Sequence, residues 1–315
     1  MENIFNLLST GILIIILFYI FILFYNKQNY KYFLPIYSVI VISLCVDFAL
    51  GQSNKNGINI FLLLVFFIFT VFIFLKHRYQ ENNRNNYEKE IHILAVVFFI
   101  YYLLLIFKTA WISDDAYITF RVADNFINGY GLRWNTEERV QVFTNTLFLF
   151  TFIPIYFIFR DAYFAGLLLN FIFSISTILL LKKLTDSKEK FLLILAGLCF
   201  SKAYIDFSTS GLENSLTFFL IVLFLYVSIK ITDLNKKWFY LSLIFSGLFL
   251  NRPDAILIVI PAILFMLYIE KPPYKFIFYG LIPLFLWEVF SFIYYGFPLP
   301  NTFYAKLLTG IDKLS

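Results

Sequence analysis

Apolar runs of membrane-spanning length follow one another along most of the chain, and they limit its fold more than any other feature. A bilayer core about 30 Å thick needs about 20 consecutive apolar residues per crossing helix. Runs at 7–25, 33–50, 58–75, 91–111, 162–181, 191–207, 215–231, 238–250, 255–269 and 276–295 meet or approach that length. An outer-membrane barrel would need segments of about 10 residues with alternating polarity, and these runs are continuous. Charged residues make up 14% of the 315, against about 25% in soluble domains, so a water-soluble fold is excluded. The expected fold is all-α, a polytopic transmembrane bundle of about 10 spans.

Basic residues orient the bundle. Loop 26–32 carries Lys27 and Lys31, loop 76–90 carries Lys76, Arg78, Arg84 and Lys89, and loop 51–57 has Lys55 alone. The positive-inside rule places the first two loops in the cytoplasm, so the N-terminus and the polar segment 112–146 face outward. Residues 147–159 (LFLFTFIPIYFIF) are short for a span and contain Pro154. A crossing there would export Lys182, Lys183, Lys188 and Lys190 and invert every later loop. A re-entrant or surface-lying helix keeps them inside, together with Lys230, Lys236, Lys237, Lys271 and Lys275. The non-spanning form is therefore expected. The outward segments are then 112–146, 208–214, 251–254 and 296–315, and they hold Asp114, Asp115, Glu213, Arg252, Asp254 and Lys306. The net charge of +5 is a mark of topology and not of nucleic-acid binding. Cys45 and Cys199 lie inside apolar runs and read as small buried hydrophobes. Met1-Glu2-Asn3 lacks the positive charge of a signal peptide, so the first run reads as a retained span.

The richest polar string is SDDAYITFRVADNFINGYGLRWN, residues 113–135. Ser113 and Asp114 stand where a helix N-cap belongs, and Ala116, Tyr117, Phe120, Ala123 and Ile127 form one apolar face, closed by Gly129 and Gly131. Two readings fit Asp114 and Asp115. They cap the helix and complement its dipole, or one serves as a general base or metal ligand at the water–lipid boundary. Arg121, Arg133 and Arg139 either pair with nearby carboxylates or hold a phosphate through bidentate hydrogen bonds. Arg252 lies between two apolar runs, with Pro253 and Asp254 following, and needs a partner. Asp254 supplies a structural pair; a phosphate is the alternative. Lys306 is either a phosphate ligand or an ordinary interfacial lysine. There is no GxSxG elbow and no P-loop, and His77 and His92 both fall near the cytoplasmic face. Acid–base work outside would rest on carboxylates.

These strings resemble a known family. SDDAYITFRVADNFINGYGLRWN with ERVQVFTNTLF (113–148), STSGLEN (208–214), NRPD (251–254) and YGFPLPNTFYAK (295–306) resemble, in the same order, motifs of GT-C superfamily glycosyltransferases. The nearest in kind are mycobacterial cell-wall arabinofuranosyltransferases and related bacterial membrane transferases. The resemblance implies inverting transfer of a sugar from a polyprenyl-phosphate donor to a cell-envelope glycan, lipid or protein. The reaction would take place on the extracytoplasmic face of the plasma (inner) membrane. It makes Asp114 and Asp115 catalytic, with one as general base, and assigns donor phosphate to Arg121, Arg252 and Lys306. Tyr117, Asn145, Glu213, Asp254 and Asn301 take substrate-binding or structural roles. A divalent cation, Mg or Mn, on Asp114 and Asp115 is left open, because the superfamily has members with and without one. The juxtamembrane helices of the family also fit the non-spanning 147–159 segment. This chain departs from the pattern in three ways. Residues 1–90 read as an N-terminal extension of about three spans before the core at 91–315. Val142–Thr146 lacks the proline of a GYTNP-like motif. The core is expected to be C-terminally incomplete at Ser315.

Two rivals remain. A transporter or flippase would carry charge near mid-span and show repeated halves; Asp47 and Glu288 are the main charges within runs, and no repeat is evident. A non-catalytic membrane subunit would bind a donor without turnover.

Overall fold

A computed structural model describes residues 84–301 and Tyr304. The runs at 7–25, 33–50 and 58–75, and Lys306, lie outside the described residues. Among those described the protein is all-helical, with no strand. Its helices are α1 (Arg84–Lys108), α2 (Ala116–Ile127), α3 (Thr146–Phe159), α4 (Ala162–Leu184), α5 (Lys188–Phe200), α6 (Lys202–Phe207), α7 (Asn214–Lys230), α8 (Leu234–Asn251), α9 (Ile256–Ile269) and α10 (Tyr274–Tyr295). A 3-10 turn, Pro253–Ala255, joins α8 to α9. Two of them, α4 and α10, are long and apolar enough to cross a membrane, and several others are shorter apolar helices.

The chain falls into two compact units. The first comprises, among described residues, α1 and residues 185–205. Here α1 packs on α5, Phe98 meets Phe200 edge-on, and Tyr102 stacks on Tyr204. The apolar run 191–207 is broken at Ser201, whose extended backbone ends α5 and whose Oγ accepts from Tyr204 N at 3.3 Å. The hydroxyl competes with the helix for its own backbone, a cue that hydrophobicity alone conceals.

The second unit comprises, among described residues, 109–184 and 206–301 with Tyr304, and holds α2, α3, α4, α7, α8, α9 and α10. Its main packings are α8 on α10, α4 on α7, α7 on α8, and α3 on both α4 and α2. Small residues set the closest approach. Ser246 Oγ on α8 donates to the Gly280 carbonyl on α10 at 2.9 Å. A Cβ at Gly280 would meet Ser242 Oγ and come within 2.6 Å of the Phe239 carbonyl. Gly166 on α4 likewise receives the Phe120 ring of α2, which stacks on Phe152 of α3 at 4.5 Å. Helix ends follow capping chemistry: Asp233 Oδ1 accepts from Lys236 N at 2.9 Å, and Asp161 Oδ1 accepts from Phe164 N at 2.9 Å. At the end of α8 and α10 remote from the polar site described below, Lys237 Nζ meets Glu270 Oε1 at 2.5 Å and Trp238 donates to Glu270 Oε2. That clasp ties the start of α8 to the end of α9.

Candidate functional site

The polar strings of the second unit meet at one end of its helices. Ser113 N donates to the Ser210 carbonyl at 2.8 Å, which ties the start of α2 to the loop 208–213. Gly211 in that loop has φ +75°, and a Cβ there would lie 2.8 Å from Ile112 Cδ1 and 3.0 Å from Ala116 Cβ. Only glycine accepts both the left-handed backbone and the contact.

Glu213, two residues on, is the hub. Asn145 Nδ2 donates to Glu213 Oε2 at 3.2 Å and to Thr119 Oγ1 at 3.0 Å. Asn251 Nδ2 donates to the Glu213 carbonyl at 3.1 Å and to Thr217 Oγ1 at 2.9 Å. Arg252 Nη1 lies 2.5 Å from Asn214 Oδ1 and 3.9 Å from Glu213 Oε1, while its Nε donates to both oxygens of Asp254 at 3.1 and 3.2 Å. Segments 113–119, 145, 208–217 and 251–254 are thereby joined in one network. Residues 295–301 connect through Gln141, which is buried. Its Oε1 accepts from Ser291 Oγ at 2.9 Å and its carbonyl from Asn301 N at 3.1 Å.

Asp114 and Asp115 are both exposed at the head of α2. Asp114 Oδ1 accepts from Asp115 N at 3.0 Å and from Ser113 Oγ at 3.3 Å. The Asp115 side chain makes no capping hydrogen bond. Asp114 thus braces the turn before α2, and neither bond is to an amide of the helix itself. The apolar face of α2 also differs from expectation. Thr119 and Val122 are buried with Ala116, Phe120 and Ala123, whereas Tyr117 is exposed and Ile127 half-buried. The packed stripe follows the α3 and α4 contacts, and Tyr117 is left beside Asp114 on the accessible side.

The basic residues are mostly engaged. Arg121 lies over the Trp134 ring at 4.7 Å and Arg139 over Tyr294 at 5.2 Å. Arg133 Nη1 donates to the Thr136 carbonyl at 2.9 Å. Arg252 is held by Asp254, the pair offered as its structural alternative, and also by Asn214. Asp124, not singled out from the sequence, accepts from Tyr156 Oη at 2.7 Å and from Asn128 at 3.1 Å. Burial and that carboxylate both push the Tyr156 phenol up, so it stays a donor holding α3 to α2 at neutral pH.

Beside the network opens an apolar groove of about 440 Å³, with Phe126, Leu132, Leu147, Phe150, Trp287 and Phe290 in its walls. Its lining includes Thr146 and Leu250, neighbours in the chain of Asn145 and Asn251. For a divalent cation, the described residues offer no group of three or more acidic, His or Cys ligands. Asp114 and Asp115 alone are a sparse donor set for an ion that takes six or more oxygens.

Compared with known proteins, the chain matches no family model, no curated protein and no solved structure.

Proposed function

We propose that this protein is a multi-pass membrane glycosyltransferase of the GT-C kind. It would use a polyprenyl-phosphate sugar on the outer face of the plasma membrane and transfer the sugar to a cell-envelope glycan, lipid or protein. The observation that carries this reading is the convergence of three polar strings, remote in sequence, on the Glu213 network beside an apolar groove, with a fourth, 295–301, tied through Gln141 to the loop that leads into Asn145. Such a pairing suits an amphiphilic donor, with an isoprenoid chain in the groove and phosphate and sugar at the polar end. On this reading α1, α4, α7, α8, α9 and α10 are spans of the expected bundle, α5 with α6 forms another, and α3 stays on the outer side.

Asp115, whose carboxylate is uncommitted to the helix, is the preferred general base; Asp114 orients the loop and is the second candidate. The acceptor hydroxyl oxygen attacks the anomeric carbon from the face opposite the phosphate. Its proton passes to the carboxylate as the bond forms. The sugar–phosphate C–O bond breaks with its electron pair going to the phosphate, and the anomeric configuration inverts. Arg252, with Arg121 and Lys306, supplies positive charge for the departing phosphate. Tyr117, Asn145, Glu213, Asp254 and Asn301 shape or hold the substrate-facing surface.

The test is sugar transfer from a panel of polyprenyl-phosphate sugars in membranes, comparing the parent chain with Asp114→Asn and Asp115→Asn. Loss of about 100-fold or more in Asp115→Asn, at equal protein level and donor binding, is expected of a general base. No transfer by the parent from any donor would leave the transporter and subunit readings.

A further inference from the structure

The register of the packed helices places the polar network well below the tips of two of its walls. Ser215, at the start of α7, donates from Oγ to Asn170 Oδ1 on α4. Asn170 lies eight residues into α4, so at 1.5 Å per residue α4 extends about 12 Å beyond the head of α7. The loop before α7 goes deeper: Ser174 Oγ donates to the Ser208 carbonyl at 2.9 Å, and Ser208, Thr209 and Ser210 are fully buried. On the other side, Ser246 of α8 meets Gly280 of α10. From that level α8 ends five residues on at Asn251, while α10 continues for fifteen residues to Tyr295. The difference is about 15 Å. Two independent contacts therefore give overhangs of similar height, about 12 and 15 Å.

The overhanging tip of α4, with the end of α3, is not built for water. Phe157, Ile158, Phe159, Tyr163 and Phe164 are 46–71% exposed around the turn at Arg160. Arg160 takes a left-handed backbone (φ 55°) and lies over the Phe157 ring at 5.1 Å. Aromatic rings beside a cation suit the headgroup boundary of a bilayer. The patch is also continuous with α4, one of the two helices long and apolar enough to cross a membrane.

We propose that the α3–α4 corner, Phe157–Phe164, is seated in the outer leaflet of the bilayer. The Glu213 network then lies roughly two helical turns below that corner, on the floor of a water-filled recess. Polar, irregular backbone at such depth is tolerated where it lines a cavity or is buried in protein, which suits the loop 208–213 and the turn at Pro253. The inference rests on the membrane reading alone and not on glycosyl transfer.

Nitroxide labels on Ile158→Cys and Thr144→Cys, in the full chain with Cys45→Ser and Cys199→Ala and reconstituted in liposomes, test it. Collision rates with oxygen, which partitions into lipid, are compared with those of a water-soluble nickel chelate. The Ile158 label should collide severalfold more with oxygen, at a depth within the outer leaflet. The Thr144 label, beside Asn145 on the floor, should favour nickel. Nickel dominance at 158 would put the corner in water, and a depth at 158 past the midplane would make α3 a crossing helix. Oxygen dominance at 144 would remove the water-filled recess. Each of these three overturns the proposal. Ile158→Trp, read by quenching from acyl-chain-brominated lipid, needs no cysteine replacement: added quenching supports the corner's seat, and its absence overturns it.

Discussion

Asn145 shows how much one buried amide decides. It is 6% exposed, accepts from Thr119, and donates to both Thr119 and Glu213. Asn145→Asp keeps the shape but sets a second carboxylate against Glu213 and removes the donor. Burial and like charge raise the introduced group's pKa in the folded state above its unfolded value. Its penalty is therefore full above the folded pKa and fades as pH falls toward the unfolded value. Thermal unfolding in detergent should show a loss of about 3 kcal/mol at neutral pH, shrinking on acidification; a pH-independent loss would mean that packing, not charge, is at fault. Thr209 is the opposite case. Its Oγ1 is buried with no hydrogen-bond partner among the described residues, a group that costs about 1–3 kcal/mol to bury. Thr209→Val should therefore be neutral or stabilising by up to about 1 kcal/mol in the same assay, whereas a clear loss of stability would reveal a bond that this hydroxyl makes.

At the scale of elements, two glycines separate backbone contact from side-chain contact. A Cβ at Gly280 faces the Phe239 carbonyl at 2.6 Å and the Leu243 amide at 2.7 Å, neither of which can move without shifting α8. A Cβ at Gly166 faces the Phe120 ring edge at 2.6 Å, which can turn. Gly280→Ala should cost about 2–3 kcal/mol or more and Gly166→Ala about 1 kcal/mol, read as midpoint shifts in thermal unfolding. Equal losses would show that α8 and α10 adjust as readily as a ring. The helices themselves were legible: runs at 91–111, 162–181, 215–231, 238–250, 255–269 and 276–295 all fall on observed helices. Length and hydrophobicity announce a helix, but a break such as Ser201 depends on one hydroxyl choosing the backbone. The faces were less legible. In a chain this apolar, hydrophobicity cannot distinguish a residue packed on protein from one facing outward, and Tyr117 is the instance.

For the second unit as a whole, the polar strings could be read from the sequence, but the bonds joining them could not. Nothing in the spacing of Glu213 says that Asn145 and Asn251 will both reach its residue, nor that Arg252 will be held by Asn214 as well as Asp254. Such partners are set by tertiary register, which small residues such as Gly280 and Gly211 fix. Gln141 closes the unit across 150 residues by its bond to Ser291, and Tyr295 Oη adds a bond to the Leu132 carbonyl at 2.6 Å. Together they strap the loop 128–145 to the end of α10. Gln141→Leu keeps the buried volume but removes both side-chain bonds, while Ser291 retains the Phe297 carbonyl. Each lost bond is worth about 1 kcal/mol, so the helices should stay packed and the unfolding midpoint should move by only a few degrees. The loop should open far more often, because local opening draws on few contacts. Trypsin cleavage after the exposed Arg139 should then quicken by about 10-fold, the factor that about 1.4 kcal/mol of lost closure gives when opening precedes cutting. Unchanged cleavage with a lowered midpoint would instead make Gln141 a packing residue of the bundle and remove the strap.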